Sequence, residues 1–181
     1  MSNSSGDTLV VFRSPLTWVA AIYAGDVLKN VSLGTSAEAA VAGLDPALRR
    51  NARKATRPGP LARRLIAYLS GEPDNFLDVS IDPGPLTPFQ RNVVRLCRDV
   101  APGSTVSYGQ LAALAGSPGA ARAVGNCMAR NRIPLVVPCH RVVGSDGRLH
   151  GYSASGGVGL KRRLLTLETE AISGRMRRQK S

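Results

Sequence analysis

The sequence predicts an α/β part followed by an all-α part that contains a helix-turn-helix. Runs of β-branched and aromatic residues lie near the N-terminus, at Thr8 to Phe12 and Trp18 to Tyr23. Pro83-Gly84-Pro85 interrupts the chain, and apolar residues recur at helical spacing after it. The predicted units are an N-terminal domain over residues 1–85, a second domain over 86–172 and a basic, disordered tail over 173–181.

The N-terminal unit is predicted to contain strands and two helices. Strand character continues from Val27 to Leu33. Thr35 and Glu38 have capping-box spacing, which predicts that a short helix begins there. Residues 45–59 are predicted to form a loop, because they combine Pro, Gly and a basic cluster. Pro60 fits the first turn of the second helix.

The second unit is predicted to be helical. Thr87 is expected to cap a helix, and Ser107 with Gln110 forms a further capping box. Gly116-Ser117-Pro118 separates the next two short helices, which predicts a helix-turn-helix, although an ordinary helical hairpin is an open alternative. Small residues, which would allow close approach to DNA, are frequent in the second helix: Gly119, Ala120, Ala121, Ala123 and Gly125.

Net charge is strongly positive, at +12. Residues 1–85 contain nine Lys and Arg against eight Asp and Glu, whereas residues 86–181 contain 15 against four. A polyanion is therefore the expected partner of the second half. The alternative is a basic protein that its charge keeps in solution.

Features of the sequence favour an intracellular, cytoplasmic protein without a membrane partner. Met1 to Asp7 lack the basic start and apolar centre of a secretory signal, and no apolar run is long enough to span a bilayer. Three cysteines do not form a disulfide framework, which fits a reducing compartment.

Pro138-Cys139-His140-Arg141-Val142 is the most informative motif, because it places a thiol beside an imidazole within an apolar run. An ordinary cysteine is only a few per cent thiolate at neutral pH, and burial raises its pKa further. Cys139 therefore needs a base. Adjacent residues on the predicted apolar strand point to opposite faces, so His140 would act through a turn or a bridging water, with Glu168 as the orienting group.

The cysteines also allow structural, zinc-binding and hydrolase interpretations. Cys97 and Cys127 lie near apolar helix faces and fit inert packing. A zinc site is not expected, because only two histidines are present and no histidine or cysteine precedes Cys97. A cysteine hydrolase is an alternative, although a Cys-His pair alone is weak support.

From about Thr87 to Glu168 the chain resembles the O6-alkylguanine-DNA alkyltransferases, also called methylated-DNA–protein-cysteine methyltransferases. The matching residues are Ser107-Tyr108, Ala120 to Gly125, Asn131, Pro138 to Val142, Gly151-Tyr152-Ser153, Lys161, Leu164-Leu165 and Glu168. The resemblance implies a ribonuclease H-like α/β domain followed by a winged-helix-like domain with the helix-turn-helix.

The resemblance also implies the chemistry. Cys139 would take the alkyl group from guanine O6 as an irreversible thioether in a single turnover without a cofactor, and thymine O4 is a further expected alkyl donor. His140 would draw the thiol proton through a water, and Glu168 would orient His140. Asn131 would lie at a hinge, and Tyr108 would help rotate the nucleotide and protonate the departing guanine.

The expected partner is double-stranded DNA with alkylated bases, bound by a monomer. By resemblance, Arg122 would replace the extruded base in the stack. The implied DNA contacts are Arg122, Tyr108, Gly109, Ser117 and Ser145, and the implied pocket residues are Val142, Tyr152 and Ser153. The stretch from Tyr152 to Lys161 is longer than in the family pattern, which leaves the alkyl-group range open.

Two other functions account for part of the sequence. A lesion-recognising or regulatory DNA-binding protein would resemble this domain but lack the cysteine. A cysteine hydrolase would leave the arginines and the helix pair unexplained.

Overall fold

A four-stranded sheet forms the N-terminal part of the structure, a computed structural model that describes residues 6–178. Strands β1, β2 and β3 pair in an antiparallel arrangement, β4 pairs parallel to β1, and the order across the sheet is β3-β2-β1-β4. The strands are β1 (Thr8–Arg13), β2 (Trp18–Ala24), β3 (Val27–Gly34) and β4 (Arg53–Lys54). The helices of this part are α1 (Ala37–Ala42), α2 (Pro46–Asn51) and α3 (Pro60–Leu69).

Alternation along β2 divides the apolar residues between the two faces of this sheet. Ala20 and Ile22 pack with Ala40 of α1 in a small cluster on one face. Val19 and Ala21 point to the other face and join the main core. The sheet is therefore covered on both sides.

Two details of the N-terminal prediction are wrong. The first helix is capped by Ser36 rather than Thr35, since the Ser36 side chain accepts a hydrogen bond from the backbone N–H of Ala39. The predicted loop over residues 45–59 contains α2 and β4. Asp45 caps α2 and Pro46 begins it, because Asp and Pro favour helix starts as well as loops.

The C-terminal part is mainly helical. Its helices are α4 (Pro88–Arg98), α5 (Tyr108–Leu114), α6 (Ala121–Ala129) and α7 (Gly157–Arg178). Both predicted capping boxes are present, at Thr87 and at Ser107. The prediction of an all-α part is incomplete, because β5 (Val106–Ser107) pairs in parallel with β6 (Val142–Val143). This short ladder places the start of α5 beside the segment that follows Cys139.

Helix α7 extends past residue 172, the predicted end of the second domain. It continues through residues 173–178, which were expected to be a disordered tail, and residues 179–181 lie outside the described part of the chain. Leu160, Leu164 and Glu168 are spaced four residues apart, so they share one buried face of α7. Among the described residues, no helix is both long and apolar enough to cross a membrane.

One hydrophobic cluster extends across the boundary predicted near residue 85. It joins Val10 of β1 and Leu65 of α3 to Val93 of α4, Val124 of α6 and Leu164 of α7. The two parts of the chain therefore share a core, and the active-site segment lies within it.

Candidate active site

Cys139 lies at the start of a 3-10 turn, Cys139–Arg141, and not on the predicted strand. The turn follows Pro138, whose carbonyl accepts a hydrogen bond from the backbone N–H of Arg141 at 2.9 Å. The apolar residues that suggested a strand are buried by packing from several elements instead. Cys139 is 4% exposed, so its thiol is shielded from water.

Asn131 contacts the thiol directly. Its side-chain Nδ2 lies 3.1 Å from Cys139 Sγ and 2.8 Å from the carbonyl oxygen of Val137, and it donates to both. Its Oδ1 accepts from the backbone N–H of Ile133 at 3.0 Å. The Asn131 amide thus connects the chain just after α6 to the Cys139 thiol.

His140 and Glu168 form the predicted pair. His140 Nε2 is 2.9 Å from Glu168 Oε1, and both side chains are buried. Because an ionised carboxylate can only accept, the shared proton belongs on Nε2. His140 Nδ1 is buried without a hydrogen-bond partner among the described residues. In the neutral tautomer this nitrogen has a free lone pair and can accept a proton.

Three residues for which the sequence predicted no role complete the environment of Glu168: Tyr68, Gly103 and Arg141. Arg141 donates to Glu168 Oε1 from Nε at 3.0 Å and from an NH₂ group at 2.7 Å. The Tyr68 hydroxyl of α3 also donates to Oε1 and lies 3.1 Å from His140 Nε2. The backbone N–H of Gly103 donates to Oε2 at 2.9 Å. We call Tyr68, Gly103, His140, Arg141 and Glu168 the Glu168 cluster.

The protonation states of this cluster follow from burial and pairing. Burial raises the pKa of the Glu168 carboxyl, but hydrogen bonds and charges from His140 and Arg141 outweigh it and hold that pKa well below its ordinary range. Burial lowers the pKa of His140, although Glu168 opposes this effect. Glu168 is therefore ionised and His140 neutral at pH 7.

The Cys139 thiol is protonated at pH 7. Burial raises its pKa, while the hydrogen bond from Asn131 and the positive charge of Lys161 oppose that rise. Generating the thiolate therefore requires a proton acceptor within the site.

Lys161 connects β6, the strand that follows the Cys139 turn, to Tyr108. Its Nζ donates to the carbonyl oxygen of Val142 at 2.7 Å and lies 3.5 Å from the Tyr108 hydroxyl. Lys161 is buried, and this burial lowers its pKa. Tyr108 begins α5 directly after β5, so the β5–β6 ladder and Lys161 together hold its ring near Val142.

A surface cavity of about 530 Å³ lies between α6 and the loop that precedes α7. It brings together four predicted residues, Tyr108, Arg122, Tyr152 and Ser153, together with the small residue Gly125. The Tyr152 hydroxyl is buried without a hydrogen-bond partner among the described residues. Buried polar atoms without partners are uncommon, so this hydroxyl is a candidate contact for a ligand.

The remaining predicted residues lie elsewhere. Val142 is buried in β6 and does not line this cavity. Gly109 is exposed in the first turn of α5, Ser117 is half-buried between α5 and α6, and Ser145 is exposed in the turn after β6. All three lie outside the cavity lining.

Comparisons with known proteins identify the family. A family model described as the DNA binding domain of 6-O-methylguanine DNA methyltransferase matches residues 88–170. A methylated-DNA–protein-cysteine methyltransferase of Salmonella typhimurium is 46% identical over 114 residues, which are 63% of this chain. The match spans 65% of that relative's length, slightly under two thirds.

Solved structures extend the match over nearly the whole chain. The crystal structure of Mycobacterium tuberculosis O6-methylguanine methyltransferase has a TM-score of 0.74 and 33% identity, covering 91% of this chain and 94% of the other. A structure of Mycobacterium tuberculosis OGT in complex with DNA has a TM-score of 0.72 and 34% identity, with the same coverage. The shared fold, over almost the full length of both chains, shows that this chain belongs to the O6-methylguanine-DNA methyltransferase family.

Proposed function

We propose that this protein repairs DNA by moving the alkyl group of O6-alkylguanine onto Cys139, once per molecule and without a cofactor. The observation that carries the proposal is the buried Cys139 thiol, which accepts a hydrogen bond from Asn131 beside the neutral base His140. Activity on O4-alkylthymine is a further expectation. Proteins of this family in other organisms are named for methyl transfer to a protein cysteine.

The first chemical step is loss of the thiol proton. We propose that this proton passes through a water molecule to His140 Nδ1. This nitrogen has a free lone pair, because the ring carries its proton on Nε2, which donates a hydrogen bond to Glu168. Glu168 then stabilises the imidazolium that forms, because it stays ionised in the cluster. Proton transfer to a positioned base removes the main obstacle to a buried nucleophile.

The second step is displacement at the alkyl carbon. Cys139 Sγ forms a bond to the methyl carbon as the bond from that carbon to guanine O6 breaks. The departing guanine takes a proton, which we assign to the Tyr108 hydroxyl, near Lys161. The products are S-methylcysteine and guanine. The Tyr108 phenolate then regains a proton from solvent and the His140 imidazolium releases one to solvent, so the proton that the thiol loses balances the one that guanine gains.

Access to the lesion requires that the base leave the duplex, at a cost of a few kcal/mol. We propose that Arg122, exposed at the start of α6, fills the gap and that the extruded base enters the cavity beside Tyr152 and Ser153. Gly109, Ser117 and Ser145 would contact the DNA backbone, and Val142 would line the inner pocket. Exposed small residues on α6 suit minor-groove docking, where sequence is poorly distinguished.

The finer descriptions of the fold belong to the same proposal. An antiparallel β1-β2-β3 sheet with β4 parallel to β1 supports a ribonuclease H-like assignment for residues 1–85. Helices α5 and α6 with the β5–β6 ladder support a winged-helix-like helix-turn-helix within residues 86–172. We propose that the protein acts as a monomer on double-stranded DNA containing alkylated bases, in the cytoplasm.

The test is the intact mass of the protein after incubation with a duplex that contains O6-methylguanine. We expect one added methyl group per molecule, located on Cys139, and none in Cys139→Ser. Cys127→Ser is the matched control, because the Cys127 thiol is also buried but, among the described residues, only the Cys139 thiol accepts a hydrogen bond from Asn131; the variant should still accept one methyl. A lesion-binding protein would retain the methylated DNA without gaining mass, and a hydrolase would turn over repeatedly.

A further inference from the structure

Strand β3, at one edge of the N-terminal sheet, is hydrogen-bonded to the segment that carries Asn131. Strand β3 is at the edge of the sheet, where unpaired backbone groups need other partners. Its Val31 N–H donates to the carbonyl oxygen of Arg132 at 2.8 Å. The residue after Asn131 is thus held by the N-terminal part of the chain.

Asn30 adds a second bond to the same carbonyl. Its Nδ2 donates to the Arg132 oxygen at 2.7 Å, and its Oδ1 accepts from the backbone N–H of Asp45 at 2.7 Å. Asn30 is 3% exposed and lies next to a bulge, where Ile22 pairs with Asn30 while Tyr23 pairs with Leu28. Bulges re-aim side chains, and this one directs a polar side chain to the junction between the two parts.

The Arg132 side chain is held from the same side. Its guanidinium lies 3.1 Å from a carboxylate oxygen of Asp45, in a half-exposed ion pair. Asp45 itself is fixed as the cap of α2, since its other oxygen accepts from Ala47 and Leu48. Both the backbone and the side chain of Arg132 therefore contact groups of the N-terminal part.

These contacts at Arg132 lie one residue from Asn131. Among the described residues, only the side chain of Asn131 hydrogen-bonds to the Cys139 thiol. Asn131 Nδ2 donates to Cys139 Sγ at 3.1 Å, and its contribution opposes the rise that burial causes in the pKa of the thiol. A shift of the backbone at Arg132 would move this amide away from sulfur. A hydrogen bond weakens steeply with distance and angle, so small displacements matter.

We propose that Asn30 and Arg132 are positioning residues of the transfer reaction, which hold the Asn131 amide against the Cys139 thiol from the N-terminal sheet. This inference rests on the proposed function for its biological meaning, but its geometry concerns the thiol alone. It assigns a role in the reaction to the part of the chain whose sequence indicated no chemistry.

The test measures the reactivity of Cys139 toward iodoacetamide against pH, with the modified residue identified by peptide mass. We expect Asn30→Ala to move the profile upward by about one pH unit, so that the rate at pH 7 falls about tenfold. Arg132→Ala should lower that rate about threefold, as expected for a partly exposed ion pair. Arg132→Lys keeps the charge opposite Asp45 and should recover most of the loss.

The matched control is Asp7→Asn, which breaks the ion pair between Asp7 and Lys29 of β3 without touching Arg132; its profile should not move. The titratable groups near the thiol stay unchanged in every variant: His140, Lys161, Tyr108, Tyr152, Cys97 and Cys127. Urea unfolding checks that each variant is folded, and Arg132→Ala, at a half-exposed site, covers the case in which Asn30→Ala does not fold.

Two outcomes are distinguishable. If the profiles of folded Asn30→Ala and Arg132→Ala coincide with that of the parent protein, the positioning role is wrong, whatever the parent does with DNA. If the profiles shift as expected but the parent gains no mass from methylated duplex, the positioning role stands and the proposed repair function is wrong.

Discussion

The Glu168 cluster and the exposed face of α6 differ in burial and in hydrogen bonding. In the cluster, one carboxylate accepts hydrogen bonds from Tyr68, Gly103, His140 and Arg141, and the carboxylate itself is buried. On α6, Arg122 is exposed and has no side-chain hydrogen bond among the described residues. The cluster is organised before any substrate arrives, whereas the arginine is free to meet a partner. Thiol chemistry and DNA affinity should therefore respond to different perturbations.

The largest effect is expected from breaking the buried cluster. Arg141→Ala leaves the buried Glu168 carboxylate charged but without the hydrogen bonds that Arg141 donates to it. The free energy of unfolding should therefore fall by about 3–5 kcal/mol. The measurement is urea unfolding at pH 7. Arg95→Ala is the matched control, because Arg95 and Asp99 form an exposed pair whose loss should cost less than about 1 kcal/mol. Similar losses in the two variants would contradict the distinction between the regions.

An intermediate effect is expected on the exposed face. Arg122→Ala should slow methyl transfer from duplex DNA by about tenfold to a hundredfold, because the cost of extruding the base is a few kcal/mol and the gap is no longer filled. Transfer from free O6-methylguanine should not change. Arg63→Ala, which removes an exposed charge from the N-terminal part, is the control. Equal slowing on duplex and free base would exclude the proposed wedge.

The smallest effect is expected from acidification. In the folded protein the pKa of His140 lies below its ordinary 6.5 and that of Glu168 below its ordinary 4.5. As pH falls, the unfolded chain therefore binds more protons at these two groups than the folded chain does. Stability contributed by both groups is present above these ordinary values and is lost below them. Between pH 6.5 and 5.5 the loss from one proton is at most about 1.4 kcal/mol. A pH series of unfolding midpoints would show it. Glu168→Gln should flatten the dependence below pH 4.5, where the Glu168 carboxyl of the unfolded chain binds its proton, and not between pH 6.5 and 5.5, where His140 accounts for it.

Prediction from sequence succeeded where local signals carry the information. The capping residues Thr87 and Ser107 contact the first turn of their own helices, so neighbouring residues suffice to identify them. The Cys139-His140 motif and Asn131 were found through an ordered resemblance. The pairing of His140 with Glu168, 28 residues apart, was also expected and is present.

Prediction failed where distant packing decides the outcome. Tyr68 is 72 residues from His140 and 100 from Glu168, and its place in an apolar helix face gave no sign of a polar contact. Arg141 was inside the quoted motif, yet its pairing depends on where α7 places Glu168. Cys139 was expected on a strand because buried turns and buried strands have the same apolar composition.

The covered edge of β3 has a consequence for fragments of this protein. Leu28 and Val31 find their backbone partners at residues 80–82 and at Arg132, on both sides of the predicted boundary. A chain cut near residue 85 would leave the first fragment with an uncovered strand at Val31 and an apolar face stripped of its neighbours. Such a fragment should self-associate through that strand, so cutting the chain near residue 85 would not yield a separately folded N-terminal module.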